Sequence, residues 1–216
     1  MDDAKWAKYA AIGGPGFVVL TLVGAFLPGS LPAMDSSADK VANYFLDHGD
    51  AIKAGSLLMG LGSVAFVWWF GSLWRRMVVA EGGRARVSVI ALLGLGLAAT
   101  LNLLAAVISA TLAQRIDEIE GGARFFYTMT FVLAGMAGFG VVIFLAAVTS
   151  LSYRSKLFPA WMNYLGWLSA LALLVSTLSI VTDASGYVVF GFIGFFLFCA
   201  WVLLVSWDLW KSPATA

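Results

Sequence analysis

Six long apolar runs constrain the fold of this chain more than any other feature. A helix needs about 20 mostly apolar residues to cross a hydrocarbon core of about 30 Å. The chain offers six runs of about that length, at approximately residues 10–27, 52–73, 87–112, 125–148, 161–181 and 188–205. We therefore predict an all-α fold, a polytopic transmembrane bundle of six spans that forms a single domain over residues 1–216.

The composition supports the same prediction. Apolar residues make up 61% of the chain and charged residues 12%, whereas soluble domains average about 45–50% and about 25%. A charged side chain at the centre of a bilayer costs roughly 2.5–3.5 kcal/mol, so spans tolerate few of them. We expect a multi-pass protein of a cell membrane.

The basic residues predict the orientation of the bundle, because cytoplasmic loops are enriched in Lys and Arg. With the N-terminus inside, the outer side keeps only Lys40, Lys53, Arg115 and Arg124 of the 13 basic residues. Every tryptophan also falls in the half that this arrangement places inside, which is consistent with an aromatic belt at that interface. Both termini are therefore predicted to be cytoplasmic.

The one long polar interruption, residues 36–53, lies between the first two runs. Apolar residues recur along its first part at helical spacing, namely Ala38, Val41, Ala42 and Phe45. Ser36 with Asp39 resembles a capping box, and Gly49 is a typical helix stop. The pattern predicts a short amphipathic helix over residues 36–48 that lies on the outer surface and could close over the bundle as a lid.

Acidic residues and the only histidine give the candidates for chemistry. Asp47, His48 and Asp50 gather where this loop enters the second span, and Asp183 follows the fifth span. Carboxylates beside an imidazole can act as an acid and base pair or bind a cation, and a solvated polar turn is the alternative interpretation. No metal and no cofactor is predicted.

A second set of residues is suited to contacting a ligand: Tyr44, Phe45, Asn102, Tyr127 and Ser176. Asn102 is the only strongly polar side chain near the middle of a span, where it would either join helices or contact a ligand. Hydroxyl residues such as Ser176 are frequent in the outer halves of the spans. They would either bond to carbonyls of their own helix or line a cavity.

Small residues four apart predict close contacts between helices, because lipid provides no hydrophobic drive for helices to associate. The pairs are Ser56 with Gly60, Gly94 with Ala98, and Ala134 with Gly138.

Several functional classes are disfavoured. One histidine does not suffice for a bis-histidine haem, and a net charge of +1 without a basic cluster argues against a nucleic-acid partner. A single cysteine excludes an intrachain disulfide. The spans carry no acidic or basic residue of the kind that ion-coupled transport usually needs.

Some local motifs resemble a known group of proteins. They are the AxYFxDH pattern at residues 42–48, the LWRR exit of the second span at residues 73–76, and KLFPAWMNYLGWLSA at residues 156–170. Together they resemble a family of small six-helix integral membrane proteins of bacteria, largely actinobacterial, whose function is unknown. The resemblance implies a six-helix bundle in a bacterial plasma membrane, and no functional residue follows from it.

Three functional hypotheses follow. The first is a binding or accessory protein with an outward-facing pocket, lined by apolar and hydroxyl residues, for a lipid or a partner helix. The second is a membrane-embedded enzyme that acts on an isoprenoid or lipid through acid and base catalysis by outer carboxylates. The third is a passive channel or transporter for small solutes. Membrane lipids, an apolar small molecule, a membrane protein partner and a second copy of the chain are the expected partners.

These hypotheses can be separated by one structural question. If Asp47, His48, Asp50, Asn102 and Asp183 converged on a common cavity, the enzyme would be about as well supported as the binding protein. If they are dispersed, the binding or accessory protein is favoured.

Overall fold

The computed structural model describes residues 3–119, 121–181 and 186–211, with side chains from residue 9 onward. Within these residues the chain is helical, without strands. The helices are α1 (Asp3–Phe26), α2 (Ala38–Ala80), α3 (Arg86–Arg115), α4 (Ala123–Ser155), α5 (Ala160–Ser176) and α6 (Gly186–Lys211), and short 3₁₀ segments cover Ile116–Glu118 and Thr177–Ile180. All six helices are long and apolar enough to cross a membrane, which confirms the predicted multi-pass all-α fold.

The helices form a closed ring. Each one packs against the next in the chain, α6 returns to α1, and α2 also touches α4 across the centre. We call the end with the connections 81–85 and 156–159 the tryptophan end, and the end with the connections 27–37 and 116–122 the loop end. Because neighbours in the ring are joined by short connections, consecutive helices run antiparallel.

Aromatic side chains fill the half of the bundle towards the tryptophan end. Trp69 of α2 and Trp201 of α6 are fully buried, and their rings meet edge to face with centroids 6.3 Å apart. Phe144 of α4 packs on Trp201 at 5.9 Å, also edge to face. Each such pair contributes about 0.5–1.5 kcal/mol beyond the area it buries, so this half is the main packed core of the fold.

Glycine brings α3 and α4 into direct backbone contact. A Cβ atom on Gly140 would lie 2.6 Å from both the Ala98 nitrogen and the Gly94 carbonyl oxygen. No side chain fits there, so the close packing predicted for Gly94 and Ala98 is confirmed. The same prediction is wrong for Gly60, whose Cβ would meet nothing within 4 Å.

The predicted separate helix over residues 36–48 needs correction, because α2 runs without interruption through Gly49. A glycine inside a helix costs only about 1 kcal/mol, and here it allows α3 to approach. A Cβ on Gly49 would lie 3.3 Å from the Ala113 carbonyl oxygen. The N-cap is Ser37, whose Oγ accepts a hydrogen bond from the Lys40 nitrogen at 3.3 Å. Residues 38–48 are thus the first turns of α2.

The loop end has an apolar core of its own. The 43 residues of α2 extend about 65 Å at 1.5 Å per residue, roughly twice the hydrocarbon core of a bilayer. The surplus turns of α2 pack against the last turns of α3 and the first turns of α4. The buried residues of this loop-end core are Val41, Tyr44, Phe45, Ile52, Leu112, Ala123 and Tyr127.

Glu81 organises the connection between α2 and α3. Its carboxylate accepts hydrogen bonds from the backbone nitrogens of Val87 (2.8 Å) and Ser88 (2.7 Å) and from the Ser88 hydroxyl. These nitrogens belong to the first turn of α3, where backbone donors have no partner inside the helix. Glu81 therefore caps α3 and closes a turn that the glycines Gly82 and Gly83 make possible, both with positive φ.

Replacing Glu81 by glutamine should lower stability by about 1 kcal/mol, the usual cost of losing a cap. Burial alone would raise the pKa of Glu81, but the hydrogen bonds from Ser88 and the backbone outweigh it and hold the pKa below the ordinary 4.5. The stabilisation is therefore fully present above pH 4.5 and is lost as the pH falls through the lowered pKa. Thermal unfolding in detergent from pH 7 to pH 3 should show this acid-sensitive component in the wild type and not in Glu81→Gln. Equal pH profiles would contradict the capping role.

Candidate binding cavity

A cavity of about 370 Å³ lies inside the ring, in the half towards the loop end, and residues of all six helices line it. Its volume is more than twice that of an engineered cavity of about 150 Å³ that holds benzene. It falls within the range of about 300–1,000 Å³ that is common for small-molecule sites. The bundle is thus closely packed in one half and contains a cavity in the other.

Three phenylalanines form the floor of the cavity: Phe66 of α2, Phe144 of α4 and Phe198 of α6. Their ring centroids are 6.2 Å (Phe66 to Phe144), 5.8 Å (Phe66 to Phe198) and 6.2 Å (Phe144 to Phe198) apart. This triangle lies directly against the tryptophan core, since Phe198 stacks on Trp201. The floor therefore separates the cavity from the tryptophan end.

Small side chains in the walls create the space above this floor. Half of the lining residues of α3 and α4 are alanine or glycine: Ala98, Ala99, Ala106, Ala134, Gly135, Ala137 and Gly138. At the level of the floor the ring of helices is filled by aromatic rings. On the loop-end side of the floor, these small residues leave the interior of the ring unfilled.

The cavity reaches the outside of the bundle between α2 and α3. Val67 of α2 and Leu103 of α3 line it and are also 58% and 41% exposed. Towards the loop end the two helices meet at Gly49 and Ala113, and towards the tryptophan end Met77 of α2 and Ala91 of α3 are both fully buried in the same core. Between these levels Val67 and Leu103 are exposed on the side of the bundle, where a membrane protein meets lipid, and we call this exposed side of the cavity the sideways opening. Phe192 of α6, which is 51% exposed, also lines the cavity.

The polar groups of the cavity wall are few and uncharged. The Ser63, Ser176 and Ser179 hydroxyls donate to carbonyl oxygens of their own helical segments, at 3.0, 2.7 and 2.7 Å. Asn102 is exposed and donates from Nδ2 to the Ala98 oxygen at 2.9 Å. Among the described residues it has no partner on another helix, so the geometry does not support a role in joining helices. Thr21 also lines the cavity, but its hydroxyl is covered by the backbone at Gly62.

The connection 27–37 covers the cavity at the loop end. Met34 is the residue of this connection that lines the cavity, and no residue of 38–48 does so. Two buried tyrosine hydroxyls hold the connection in place: Tyr44 donates to the Pro28 oxygen at 3.2 Å and Tyr127 to the Pro32 oxygen at 2.7 Å. The covering element is therefore this connection, fastened from α2 and α4.

Replacing Tyr127 by phenylalanine should loosen the connection 27–37. The variant keeps the ring in the loop-end core but leaves the Pro32 carbonyl without its donor, at a cost of about 1–3 kcal/mol. Hydrogen exchange of the backbone amides in this connection should become faster by about tenfold or more. Tyr164→Phe is the matched control, because Tyr164 is 65% exposed. Unchanged exchange in Tyr127→Phe would show that the hydroxyl does not hold the connection.

The structure separates the residues that the sequence marks as candidates. Asn102 and Ser176 line the cavity, whereas Tyr44, Phe45 and Tyr127 belong to the loop-end core. Tyr44 and Tyr127 act through their hydroxyls on the covering connection rather than on the cavity itself.

The candidate acids and the histidine lie elsewhere. Asp47 and His48 border a shallow surface groove beside residues 30–33. The His48 ring stacks on the Tyr44 ring, and its Nδ1 lies 3.1 Å from the backbone carbonyl oxygen of Tyr44. The Asp50 side chain is 99% exposed and pairs with Lys53 at 2.6 Å. Asp183 lies outside the described residues. The described candidates do not converge on one cavity.

The residues that sequence reasoning missed are the floor phenylalanines and Met34. Each phenylalanine lies in an apolar run rich in similar residues, so only the packing of three helices reveals that they share a level. In the described part of the chain, no three His, Cys, Asp or Glu residues are grouped as a metal site would require.

No protein-family model matches this chain, and no characterised protein or solved structure shows significant similarity to it. The resemblance to small bacterial membrane proteins therefore stays a prediction, and the cavity is the feature of the structure that bears on function.

Proposed function

We propose that the protein is a membrane-embedded binding protein that holds one uncharged, mainly apolar molecule in its cavity. The observation that carries this proposal is a large apolar cavity in a bundle that is otherwise closely packed. Creating empty volume in a protein interior costs about 24 cal/mol per Å³. A cavity of about 370 Å³ would cost several kcal/mol if it stayed empty, so an occupant is strongly favoured.

The sideways opening supports access from the bilayer. A ligand that passes between Val67 and Leu103 can move from lipid into the cavity without crossing water. The covered loop end is the less direct route, because Tyr44 and Tyr127 hold the connection above it.

The size and shape of the cavity favour a small molecule or a single hydrocarbon chain over a partner helix. A helix with its side chains is about 10–12 Å across, and even two turns of it exceed the available volume. The phenylalanine floor also argues against a channel, because the half of the bundle towards the tryptophan end is filled by buried rings. An enzyme that uses outer carboxylates gains no support, since no acidic residue is among the described lining residues.

The proposal includes the orientation of the bundle. The loop end faces the outside of a cell membrane, in accordance with the excess of basic residues near the tryptophan end. These residues are Lys5, Lys8, Arg75, Arg76, Arg84, Arg86, Arg154, Lys156 and Lys211. The ligand then enters at the level of the outer half of the bilayer.

Labelling of single cysteines tests this orientation. In a Cys199→Ala background, Asp50→Cys should react with a membrane-impermeant maleimide in intact cells, and Arg84→Cys should react only after the cells are opened. The opposite pattern would reverse the orientation and leave the cavity proposal untouched.

Photolabelling in liposomes tests the binding function. The probe is a straight-chain hydrocarbon that carries a diazirine, and the labelled positions are mapped by peptide mass spectrometry. We expect saturable labelling of the cavity walls near Ser63, Asn102 and Phe144, which excess unlabelled hydrocarbon competes away. Labelling confined to outward-facing residues such as Leu93 and Val107, without competition, would contradict the proposal.

A further inference from the structure

Ser63 and Asn102 place polar groups at the same level on facing helices. At about 1.5 Å per residue, Ser63 lies about 26 Å along α2 from Ala80, and Asn102 lies about 24 Å along α3 from Arg86. The connection 81–85 joins these two helix ends, so the two distances start from the same end of the bundle. Both residues line the cavity, and the exposed Asn102 lies at its sideways opening.

The hydrogen bonds that Ser63 and Asn102 already make determine which donors and acceptors remain for a ligand. The Ser63 hydroxyl gives its proton to the Met59 oxygen, so its Oγ is left as an acceptor. Asn102 uses one N–H on the Ala98 oxygen and keeps Oδ1 and a second N–H. The pair thus presents two acceptors and one donor, a combination that suits a hydroxyl group.

Charged groups do not fit this level of the cavity. No Lys, Arg, His, Asp or Glu is among the described lining residues. An ion placed there would lose its hydration without gaining a counter-charge, which is far more costly than burying a neutral hydroxyl with partners.

We propose that the ligand is a long-chain alcohol, that is, a neutral amphiphile with one hydroxyl group. Its hydroxyl donates to Asn102 Oδ1 or Ser63 Oγ and accepts the free N–H of Asn102, and its hydrocarbon lies inside against Phe66, Phe144 and Phe198. This inference rests on the proposed binding function and adds the chemical class and orientation of the ligand.

A matched series of competitors tests the inference. A straight-chain alkane, alcohol and carboxylic acid of equal length compete with the diazirine probe in liposomes at neutral pH. In the wild type the alcohol should compete about tenfold better than the alkane, as expected for a hydrogen bond to a group that is otherwise unpaired. The carboxylic acid should compete less well than the alcohol, because at neutral pH it must either take up a proton or enter the cavity as an anion without a counter-charge.

Asn102→Leu is the decisive variant, since leucine has a similar shape and no polar atoms. It should remove most of the preference for the alcohol, that is, lower the ratio of alcohol to alkane affinity strongly, whatever it does to the alkane affinity itself. Comparing this ratio between proteins cancels the different partitioning of the probes into lipid. Ser63→Ala should lower the ratio by a smaller factor, because Asn102 remains.

The possible outcomes distinguish a failure of the alcohol assignment from a failure of the proposed binding function. If alkane and alcohol compete equally in the wild type, or Asn102→Leu leaves their ratio unchanged, the alcohol assignment is overturned while the binding function stands. The same holds if the acid competes best. If none of the three competes, the binding function itself is overturned.

Discussion

The Gly140→Leu variant is expected to fail to form the native bundle, or to unfold at a much lower temperature than the wild type. The Cβ atom alone would lie 2.6 Å from the Ala98 nitrogen and from the Gly94 oxygen. These are backbone atoms of α3 and cannot turn aside as a flexible side chain could. Overpacking of a core typically costs 1–3 kcal/mol, and separating two helices adds the loss of their whole interface, so we expect a cost of about 3 kcal/mol or more.

Gly96→Leu is the matched control for this change. Gly96 lies on the same helix as Gly94 but faces outward, and its Cβ would meet nothing within 4 Å. Leucine also has a better helix propensity than glycine by about 0.8 kcal/mol, so the control should be as stable as the wild type or slightly more so. Size-exclusion profiles and thermal unfolding in detergent provide the comparison. If Gly140→Leu behaved like Gly96→Leu, α3 and α4 could not be in backbone contact.

The second large effect is expected from filling the cavity. Ala99→Phe places a ring on the cavity side of α3, where alanine now leaves space. If the ring displaces only ~60 Å² of ligand surface from the wall, binding loses about 1.5 kcal/mol at about 25 cal/mol per Å². That corresponds to roughly tenfold weaker binding, and a ring that blocks the opening would weaken it further. The protein itself should be at least as stable, because the ring fills empty volume.

Leu97→Phe is the control for cavity filling, since Leu97 is 44% exposed on the outer face of α3 and does not line the cavity. It should bind the diazirine probe as the wild type does. Ala106→Phe, on the same face as Ala99, provides a second filled variant if the first is poorly folded. Stable filled variants with undiminished saturable labelling would contradict ligand binding in the cavity.

The number of helices could be predicted from the sequence because it follows from local composition. An apolar run of sufficient length must satisfy its backbone internally in lipid, and a helix does so regardless of its neighbours. The Gly94 and Ala98 contact was also predictable, since small residues four apart mark one face of a helix. Gly60 shows the limit of that rule, because the same spacing does not reveal whether a partner helix lies opposite.

The cavity could not be predicted, because it depends on distances between helices. Phe66, Phe144 and Phe198 form a floor only because three separate helices bring them to one level. The predicted helix end at Gly49 is wrong for a related reason: the local tendency of glycine to end a helix is outweighed by the packing of α2 against α3 near Ala113. Asn102 is recognised from its polarity alone, and the structure places it on the wall of the cavity.

Native mass spectrometry tests the central claim most directly. Wild type, Ala99→Phe and Leu97→Phe are purified in the same mild detergent, incubated with an excess of a straight-chain alcohol, and released from their micelles in the gas phase. The expected result is one bound alcohol molecule on the wild type and on Leu97→Phe, and a clearly lower occupancy on Ala99→Phe, whose binding is weaker by roughly tenfold or more. No bound molecule on the wild type, or equal occupancy on all three proteins, would contradict the claim that this cavity is a binding site.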